Sequence, residues 1–149
     1  LLGVYSDDLI PVMAKVLCGL GIRHAMVVHG EDGFDEISIS APTKVAEIKD
    51  GGIFEYTITP EQFGLPMAEK EEVVGGSPEE NALITQGILD GTIRDAKRNI
   101  VLLNAGCALY VVGQAGSIGD GVALAAEMID SGAALAKLEE LKQFTNALA

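Results

Sequence analysis

The sequence has 149 residues, of which 48% are hydrophobic and only 5% aromatic. This length supports one domain, expected over residues 1–149, with a core of Leu, Ile, Val and Ala. A net charge of −12 disfavours nucleic acid and anionic membrane surfaces as partners. The longest apolar run, residues 105–112, is far shorter than the roughly 20 residues of a membrane span. With no basic and apolar leader pattern at the start, these features predict a cytoplasmic protein.

The two cysteines, Cys18 and Cys107, lie in segments with apolar helical patterns. Disulfide frameworks are typical of shorter secreted chains with more cysteines. We therefore expect two buried free thiols.

A helix followed by strands is predicted for the first part of the chain. Ser6 precedes two acidic residues, which is typical of a helix start, and apolar residues then recur at helical spacing as far as Cys18. The strands are recognised from an apolar run or from polar–apolar alternation. They are expected at residues 25–28, 36–40, 43–48 and 53–58.

The last two of these strands are predicted to form a β-hairpin, because Asp50-Gly51-Gly52 lies between them and glycine readily adopts positive φ. Val45 and Glu47 in the first of the two are assigned to opposite faces. A single helical turn is expected over residues 59–62, and a solvated charged loop over residues 66–76.

The remainder of the chain is predicted to be helical. Ser77 and Ser117 each precede an acidic residue at the spacing of a capping box. The second half of the second helix is apolar nearly all round, which predicts a helix enclosed on several sides. Asn104 within it is expected to be a structural residue with hydrogen-bond partners, because an unpaired buried amide costs roughly 1–3 kcal/mol. The four helices are expected at residues 77–90, 94–112, 117–129 and 134–144. The order of elements predicts an α/β fold with a mixed sheet packed against helices.

Residues 29–38, His-Gly-Glu-Asp-Gly-Phe-Asp-Glu-Ile-Ser, carry the chemistry that is most informative. Asp35 and Glu36 lie just past a glycine turn at the end of a predicted strand, where open α/β sheets place their ligands. Two neighbouring carboxylates can bind Mg²⁺, which takes oxygen ligands and keeps several water or phosphate oxygens. On spacing alone, a solvated acidic loop is the alternative.

Three other polar residues near this pair are not assigned to the candidate metal site. His29 is expected to hydrogen-bond neighbouring backbone rather than to act as an acid or base. His24 is placed on the surface. Asp32 is near enough in sequence to join a metal site, but it is not included among the candidate ligands.

The stretch 28–38 resembles the late signature of the anthranilate phosphoribosyltransferase family of tryptophan biosynthesis. Further blocks resemble the same family in the same order. They are residues 1–5, Tyr56 with 59–65, 75–76 with 81–82, 94–95, 104–105 with 108–111, and 129–132. The resemblance implies that Asp35 and Glu36 are the family's metal-binding acids, and that the fold is part of its large α/β domain.

The family's activity, as the resemblance implies it, is transfer of a phosphoribosyl group from phosphoribosyl diphosphate to the amine of anthranilate, with Mg²⁺ as cofactor. The family's Gly-Thr-Gly-Gly-Asp-type diphosphate loop, its Lys-His-Gly block and the arginine that meets anthranilate do not occur in this sequence. The chain is therefore expected to correspond to the C-terminal half, without the N-terminal helical domain, and to be inactive alone.

Two alternatives of other kinds stay open. One is a related glycosyl-transfer enzyme such as a pyrimidine-nucleoside phosphorylase, and the other is a non-catalytic domain that binds a divalent metal. The match to only part of the family's α/β domain has a further consequence, because half of such a domain would expose apolar patches and open strand edges. We therefore expect that the chain either self-associates, as a homodimer, or omits only a separable part of the domain.

Overall fold

The computed structural model describes residues 1–147 of the chain. Its strands are β1 (Leu2–Gly3), β2 (His24–Gly30), β3 (Thr43–Lys49) and β4 (Gly52–Ile58). Its helices are α1 (Ile10–Gly19), α2 (Pro78–Leu89), α3 (Ala96–Val111), α4 (Ile118–Asp130) and α5 (Ala133–Asn146). Short 3-10 turns lie at Asp7–Leu9, Pro60–Phe63 and Lys70–Val73. No helix in this part of the chain is both long and apolar enough to cross a membrane.

The strands form one mixed sheet in the order β1-β2-β3-β4. β1 and β2 are parallel and are joined through α1, whereas β2–β3 and β3–β4 are antiparallel. The register places Val45 opposite both Val28 and Tyr56. This arrangement confirms the predicted α/β fold with a mixed sheet and helices.

Apolar clusters cover both faces of the sheet. Ala25 and Val27 of β2 belong to the cluster that includes α1, while Met26 and Val28 belong to the cluster that includes α3 and α4. Successive strand residues point to opposite faces, so β2 is apolar on both sides and forms a continuous apolar run. Burial of each of the larger side chains, Met26, Val27 and Val28, stabilises the fold by about 1.5–3 kcal/mol.

The predicted hairpin of β3 and β4 is confirmed. Asp50 and Gly51 have φ angles of 51° and 79°, which are the positive values that a tight two-residue hairpin turn requires. The assignment of Val45 and Glu47 to opposite faces was wrong, because residues two apart in a strand share a face. Glu47 points towards α3, where it bonds Tyr110.

The strand predicted over residues 36–40 is absent, and the prediction was wrong. Ile37, Ser38 and Ile39 are all fully buried, so the alternation of polar and apolar residues does not separate an inner from an outer face. The backbone bonds side chains instead of a neighbouring strand, as in the 2.9 Å bond from Ser38 N to Thr43 Oγ1. A distant side chain contributes as well, because Ile37 N donates to Asn104 Oδ1 at 3.0 Å, across 67 positions of sequence.

The predicted helix starts at Ser77 and Ser117 are confirmed. Each serine Oγ accepts from a backbone N–H three residues later, at 3.2 Å from Glu80 and 3.1 Å from Asp120. The helix predicted from residue 94 begins at Ala96, because Asp95 is its N-cap and accepts from the N–H of Lys97 at 2.9 Å.

Helices α3 and α4 approach each other closely at two glycines. A Cβ atom built on Gly106 would lie 2.6 Å from the backbone nitrogen of Val122, and one on Gly121 would overlap with the carbonyl oxygen of Gly106. A side chain at either position would push the helices apart. The pair is thus packed backbone to backbone.

The prediction that α3 is enclosed on several sides is confirmed by its packing against α4 and the sheet, although one further face of this helix is open. Val101 is 38% exposed and Val112 is 67% exposed. Both border an apolar groove of about 430 Å³, whose other lining residues are Leu89, Ala105, Ala108, Leu109, Ala125, Met128, Ile129 and Ala134.

Both cysteines are free thiols, as predicted. Cys107 is buried, whereas Cys18 is only half-buried. Burial, with a smaller contribution from the charge of Glu47, raises the pKa of Cys107 to about 12. The Cys107 thiol is therefore a neutral core residue at ordinary pH.

Candidate functional site

The loop of residues 31–42, here called the acidic loop, joins β2 to β3. It begins with a tight turn in which the N–H of Gly33 donates to the carbonyl of Gly30 at 2.8 Å, and Gly33 has a φ of 92°. Gly30 N also donates to the carbonyl of Phe34 at 2.8 Å, and Glu31 N to that of Pro42 at 2.9 Å. These bonds fold the loop back over the end of β2.

Asp32 stabilises the acidic loop from within. Its Oδ2 accepts from the hydroxyls of Ser38, at 2.6 Å, and of Ser40, and Lys70 Nζ donates to its carbonyl at 2.6 Å. Burial would raise the pKa of Asp32, but the bonds from Ser38, Ser40 and the N–H of Phe34 outweigh it and hold this pKa below its usual value. Asp32 is thus an ionised carboxylate already engaged by the protein.

Asp35 and Glu36 lie at the outer part of the loop, and both are exposed. They border a cleft of about 480 Å³ that is also lined by Gly3 of β1 and by Asn104 of α3. Among residues 1–147, no ion pair or side-chain hydrogen bond engages either carboxylate. The structure therefore brings the two predicted ligands together at the end of β2 with their oxygens free.

This pair of side chains fits Mg²⁺ only as a partial ligand set. No cluster of three or more His, Cys, Asp or Glu suited to a metal occurs within residues 1–147. Mg²⁺ is typically bound through one or two protein carboxylates, with water and substrate phosphates completing its octahedral shell. The chemistry of Asp35 and Glu36 therefore suits a magnesium ion shared with a phosphate ligand, and not a closed site made by protein alone.

The backbone of the acidic pair is held on both sides. A Cβ on Gly3 would overlap with the carbonyl oxygen of Asp35, so β1 passes directly against the loop. On the other side, Ile37 N donates to Asn104 Oδ1 at 3.0 Å, and Asn104 Nδ2 donates to the carbonyl of Ile37 at 2.8 Å. Asn104 is thus a structural residue with its partners in place, as predicted.

The prediction made for one of the two histidines is confirmed, and the one made for the other is wrong. His29 Nδ1–H donates to the carbonyl of Val4 at 2.8 Å, which confirms that it hydrogen-bonds neighbouring backbone. The surface assignment of His24 was wrong. Its ring lies edge-on to Tyr110, with centroids 4.9 Å apart, and its Nε2 is 2.9 Å from Glu47 Oε1.

A second polar group, here called the Glu47 cluster, consists of Glu47, His24, Tyr56 and Tyr110. The hydroxyls of Tyr56 and Tyr110 donate to the Glu47 carboxylate at 2.8 and 2.9 Å. Burial would raise the pKa of Glu47, but bonds from Tyr56, Tyr110 and His24 outweigh it and hold this pKa below its usual value. Burial, together with the bond to Glu47, raises the pKa of Tyr56 far above its ordinary value.

The Glu47 cluster was not predicted from the sequence. Its only sequence signal is an acidic residue between Ala46 and Ile48, both of which are fully buried. The oxygens of Glu47 are occupied by protein donors, so this carboxylate joins the sheet to α3 and has no free position for a ligand.

Curated proteins similar to this chain include anthranilate phosphoribosyltransferases from two archaea. The protein of Methanobrevibacter smithii is 49% identical over 146 residues, which are 98% of this chain and 43% of that protein. The protein of Haloarcula marismortui is 53% identical over 140 residues, which are 94% of this chain and 42% of that protein. The chain thus spans less than half the length of these relatives, in agreement with the predicted partial match.

Solved structures of the same enzyme share the fold. The crystal structure from Thermus thermophilus is 39% identical, with a TM-score of 0.86, over 94% of this chain and 41% of that one. The Saccharomyces cerevisiae protein in complex with PRPP and Mg is 31% identical, with a TM-score of 0.81, over 92% of this chain and 40% of that one.

The family model described as "Glycosyl transferase family, a/b domain" matches residues 1–135. This match covers nearly the whole chain and includes the acidic loop, β1 and α3. It agrees with the mixed sheet and flanking helices that the structure shows. The chain therefore belongs to the glycosyl transferase family, through the a/b domain of that family.

Proposed function

We propose that this chain supplies the magnesium-binding acids of an anthranilate phosphoribosyltransferase. The observation that carries the proposal is the exposed pair Asp35 and Glu36, whose oxygens have no protein partner within residues 1–147 and which border a cleft at the end of β2. The yeast relative has been solved with PRPP and Mg bound. Its similarity to this chain supports the same ligands here.

Asp35 and Glu36 would hold Mg²⁺, which stabilises the negative charge that develops on a departing diphosphate. The lining of the cleft, as far as the described residues form it, contains no lysine or arginine. Two carboxylates alone would repel a diphosphate. In this proposal the substrate therefore needs both the metal and basic or backbone N–H groups from beyond the residues that line this cleft.

The substrates in this proposal are phosphoribosyl diphosphate and anthranilate, in a site completed by the part of the protein that the relatives have and this chain lacks. We expect no turnover from the chain alone. The single domain over residues 1–149, the homodimer and the cytoplasmic location remain predictions alongside this proposal.

The test is an anthranilate-fluorescence assay with phosphoribosyl diphosphate and Mg²⁺. The chain is assayed alone and after co-expression with the part of the Methanobrevibacter smithii relative that it does not match. We expect loss of anthranilate fluorescence only in the co-expressed sample, and none with the double variant Asp35→Asn, Glu36→Gln. The control is Glu139→Gln with Glu140→Gln, an adjacent exposed pair on α5 that changes the charge equally.

Each contrary result has a definite meaning. Turnover by the chain alone would show that phosphate-binding groups lie within it. A folded but inactive mixture would favour a related glycosyl-transfer enzyme or a non-catalytic metal-binding domain. Unchanged turnover of the Asp35 and Glu36 variant at limiting Mg²⁺ would remove this pair from the site.

A further inference from the structure

The acidic pair lies on irregular backbone, which distinguishes it from a ligand set built on a helix or strand. Neither Asp35 nor Glu36 has a hydrogen bond of its own side chain within residues 1–147 that would orient it. Ligands must be held near their productive geometry for tight binding. The positions of the two carboxylates therefore depend on the contacts that fix the adjacent backbone.

Asn104 holds that backbone at the residue that directly follows the pair. Its amide forms two bonds with one residue, accepting from Ile37 N at 3.0 Å and donating to Ile37 O at 2.8 Å. These bonds join residues 67 positions apart in the sequence. The side chain thus satisfies both backbone groups of Ile37, as a neighbouring strand would.

The orientation of the Asn104 amide is itself fixed. Its Nδ2 also donates to the carbonyl of Ile100 at 3.0 Å, one turn earlier in α3. The two bonds from Nδ2 and the one to Oδ1 are satisfied together by a single orientation of the amide. If the amide were flipped, its NH₂ group would face the N–H of Ile37, and its oxygen would face the carbonyls of Ile37 and Ile100.

The other contacts of the acidic loop involve residues other than Ile37. Gly3 limits the backbone at Asp35 by close approach, without a polar bond. Asp32 joins Ser38 and Ser40 to the start of the loop, and Lys70 bonds the carbonyl of Asp32. Asn104 alone among these reaches from a long helix to the residue beside Glu36.

From this geometry we propose that Asn104 is a positioning residue that presents Asp35 and Glu36 to a divalent metal ion, an inference that rests on the function proposed above. Asn104 does not bind the metal. It acts through the backbone of Ile37, in the way that outer partners of metal ligands set ligand orientation. Loss of such partners typically lowers metal affinity about 10- to 100-fold.

The test is a Mn²⁺ titration of the 149-residue chain, followed by paramagnetic broadening of backbone amide signals in NMR spectra. Mn²⁺ replaces Mg²⁺ as the probe, because both prefer oxygen ligands. In the wild type we expect the amides of Asp35 and Glu36 to broaden at the lowest Mn²⁺ concentrations. In Asn104→Leu we expect the concentration that broadens half of the signal to rise about 10-fold or more.

Hydrogen exchange at the amide of Ile37 gives a second readout, because this N–H donates to Asn104 in the wild type. We expect faster exchange in Asn104→Leu. Asn104→Gln keeps the amide group one methylene further out, and we expect it to restore part of the Mn²⁺ affinity. Should Asn104→Leu not fold, Asn104→Gln carries the test with an intermediate loss.

Leu102→Ala is the control for stability. Leu102 is buried on the same helix and bears no polar atom for the loop. We expect Leu102→Ala to lower stability while the Mn²⁺ titration stays unchanged. A rise in the Mn²⁺ requirement of Leu102→Ala equal to that of Asn104→Leu would reduce Asn104 to a merely structural residue and overturn the inference.

The two proposals fail differently. If Asp35→Asn with Glu36→Gln leaves the Mn²⁺ titration unchanged, the pair is not the metal site and the proposed function fails. If that variant abolishes broadening but Asn104→Leu binds Mn²⁺ like the wild type, the function stands and the positioning role is refuted.

Discussion

The carboxylates at the two ends of this sheet have opposite surroundings. Glu47, on β3, is buried and accepts from two tyrosine hydroxyls and a histidine. Asp35 and Glu36, beyond β2, are exposed with no protein donors within residues 1–147. At the Glu47 end the carboxylate itself joins the sheet to α3. At the other end the amide of Asn104 joins α3 to the acidic loop and leaves both carboxylates free.

This difference separates a carboxylate that stabilises the fold from carboxylates available to a ligand. A buried charge must be paired or fully hydrogen-bonded, because its desolvation is otherwise too costly. Glu47 meets that requirement and has no oxygen left over. Asp35 and Glu36 avoid the cost by remaining in water, so a metal ion can still bind them.

The largest effect is expected from Glu47→Ala. The change leaves Tyr56, Tyr110 and His24 without their common acceptor, and we expect it to lower the free energy of unfolding by about 3 kcal/mol. Urea unfolding measured by circular dichroism gives the number. The control is Glu55→Ala on the neighbouring strand, an exposed site expected to change stability by less than about 0.5 kcal/mol. Equal losses in the two variants would contradict the structural role of Glu47.

A smaller effect is expected from acid. The pKa of Glu47 is lowered in the folded state, so its contribution to stability is present above its ordinary value of 4.5 and is lost as pH falls through the lower folded value. The pKa of Asp32 is shifted in the same direction. We expect the unfolding free energy of the wild type to fall as the pH drops below about 4.5.

Glu47→Gln sharpens this prediction. It removes the titration of Glu47 but keeps that of Asp32, so we expect a shallower decline with acid than in the wild type. Urea midpoints measured at several pH values below neutrality give the slope. A decline as steep as in the wild type would mean that Glu47 has no lowered pKa in the folded chain.

The smallest effect on stability is expected from Asp35→Asn with Glu36→Gln. Both side chains are exposed, and two fewer negative charges relieve repulsion in a chain of net charge −12. We expect the free energy of unfolding to change by less than about 0.5 kcal/mol. A loss above about 1.5 kcal/mol in urea, against the Glu139 and Glu140 control, would show that the pair serves the fold.

Local sequence signals predicted much of this structure. Ser77 and Ser117 form their caps with residues only three positions away, and the hairpin turn depends on Asp50 and Gly51 alone. Such features need no knowledge of the rest of the fold. The candidate metal ligands came from the family resemblance and from their place after a predicted strand, and their assignment stays a prediction.

The wrong predictions concern residues whose conformation or burial depends on partners that are distant in the sequence. Residues 36–40 alternate like a strand, but at Ile37 the partners that a strand would have supplied come from Asn104, 67 positions away. His24 looked like a surface residue because Glu47 and Tyr110, its partners, lie on other elements. No periodicity in the sequence marks such pairs.

The glycine contact between α3 and α4 has a consequence for how far mutational effects spread. Asn104 lies about half a turn before Gly106. The contact between Gly106 and Gly121 sets how closely α3 packs against α4. The position of the Asn104 amide therefore depends on α4, although α4 lines no part of the cleft. We expect that enlarging Gly121 would push α3 away from α4 and weaken the bonds to Ile37, so that a defect in the proposed metal binding would originate in the helix pair behind the cleft.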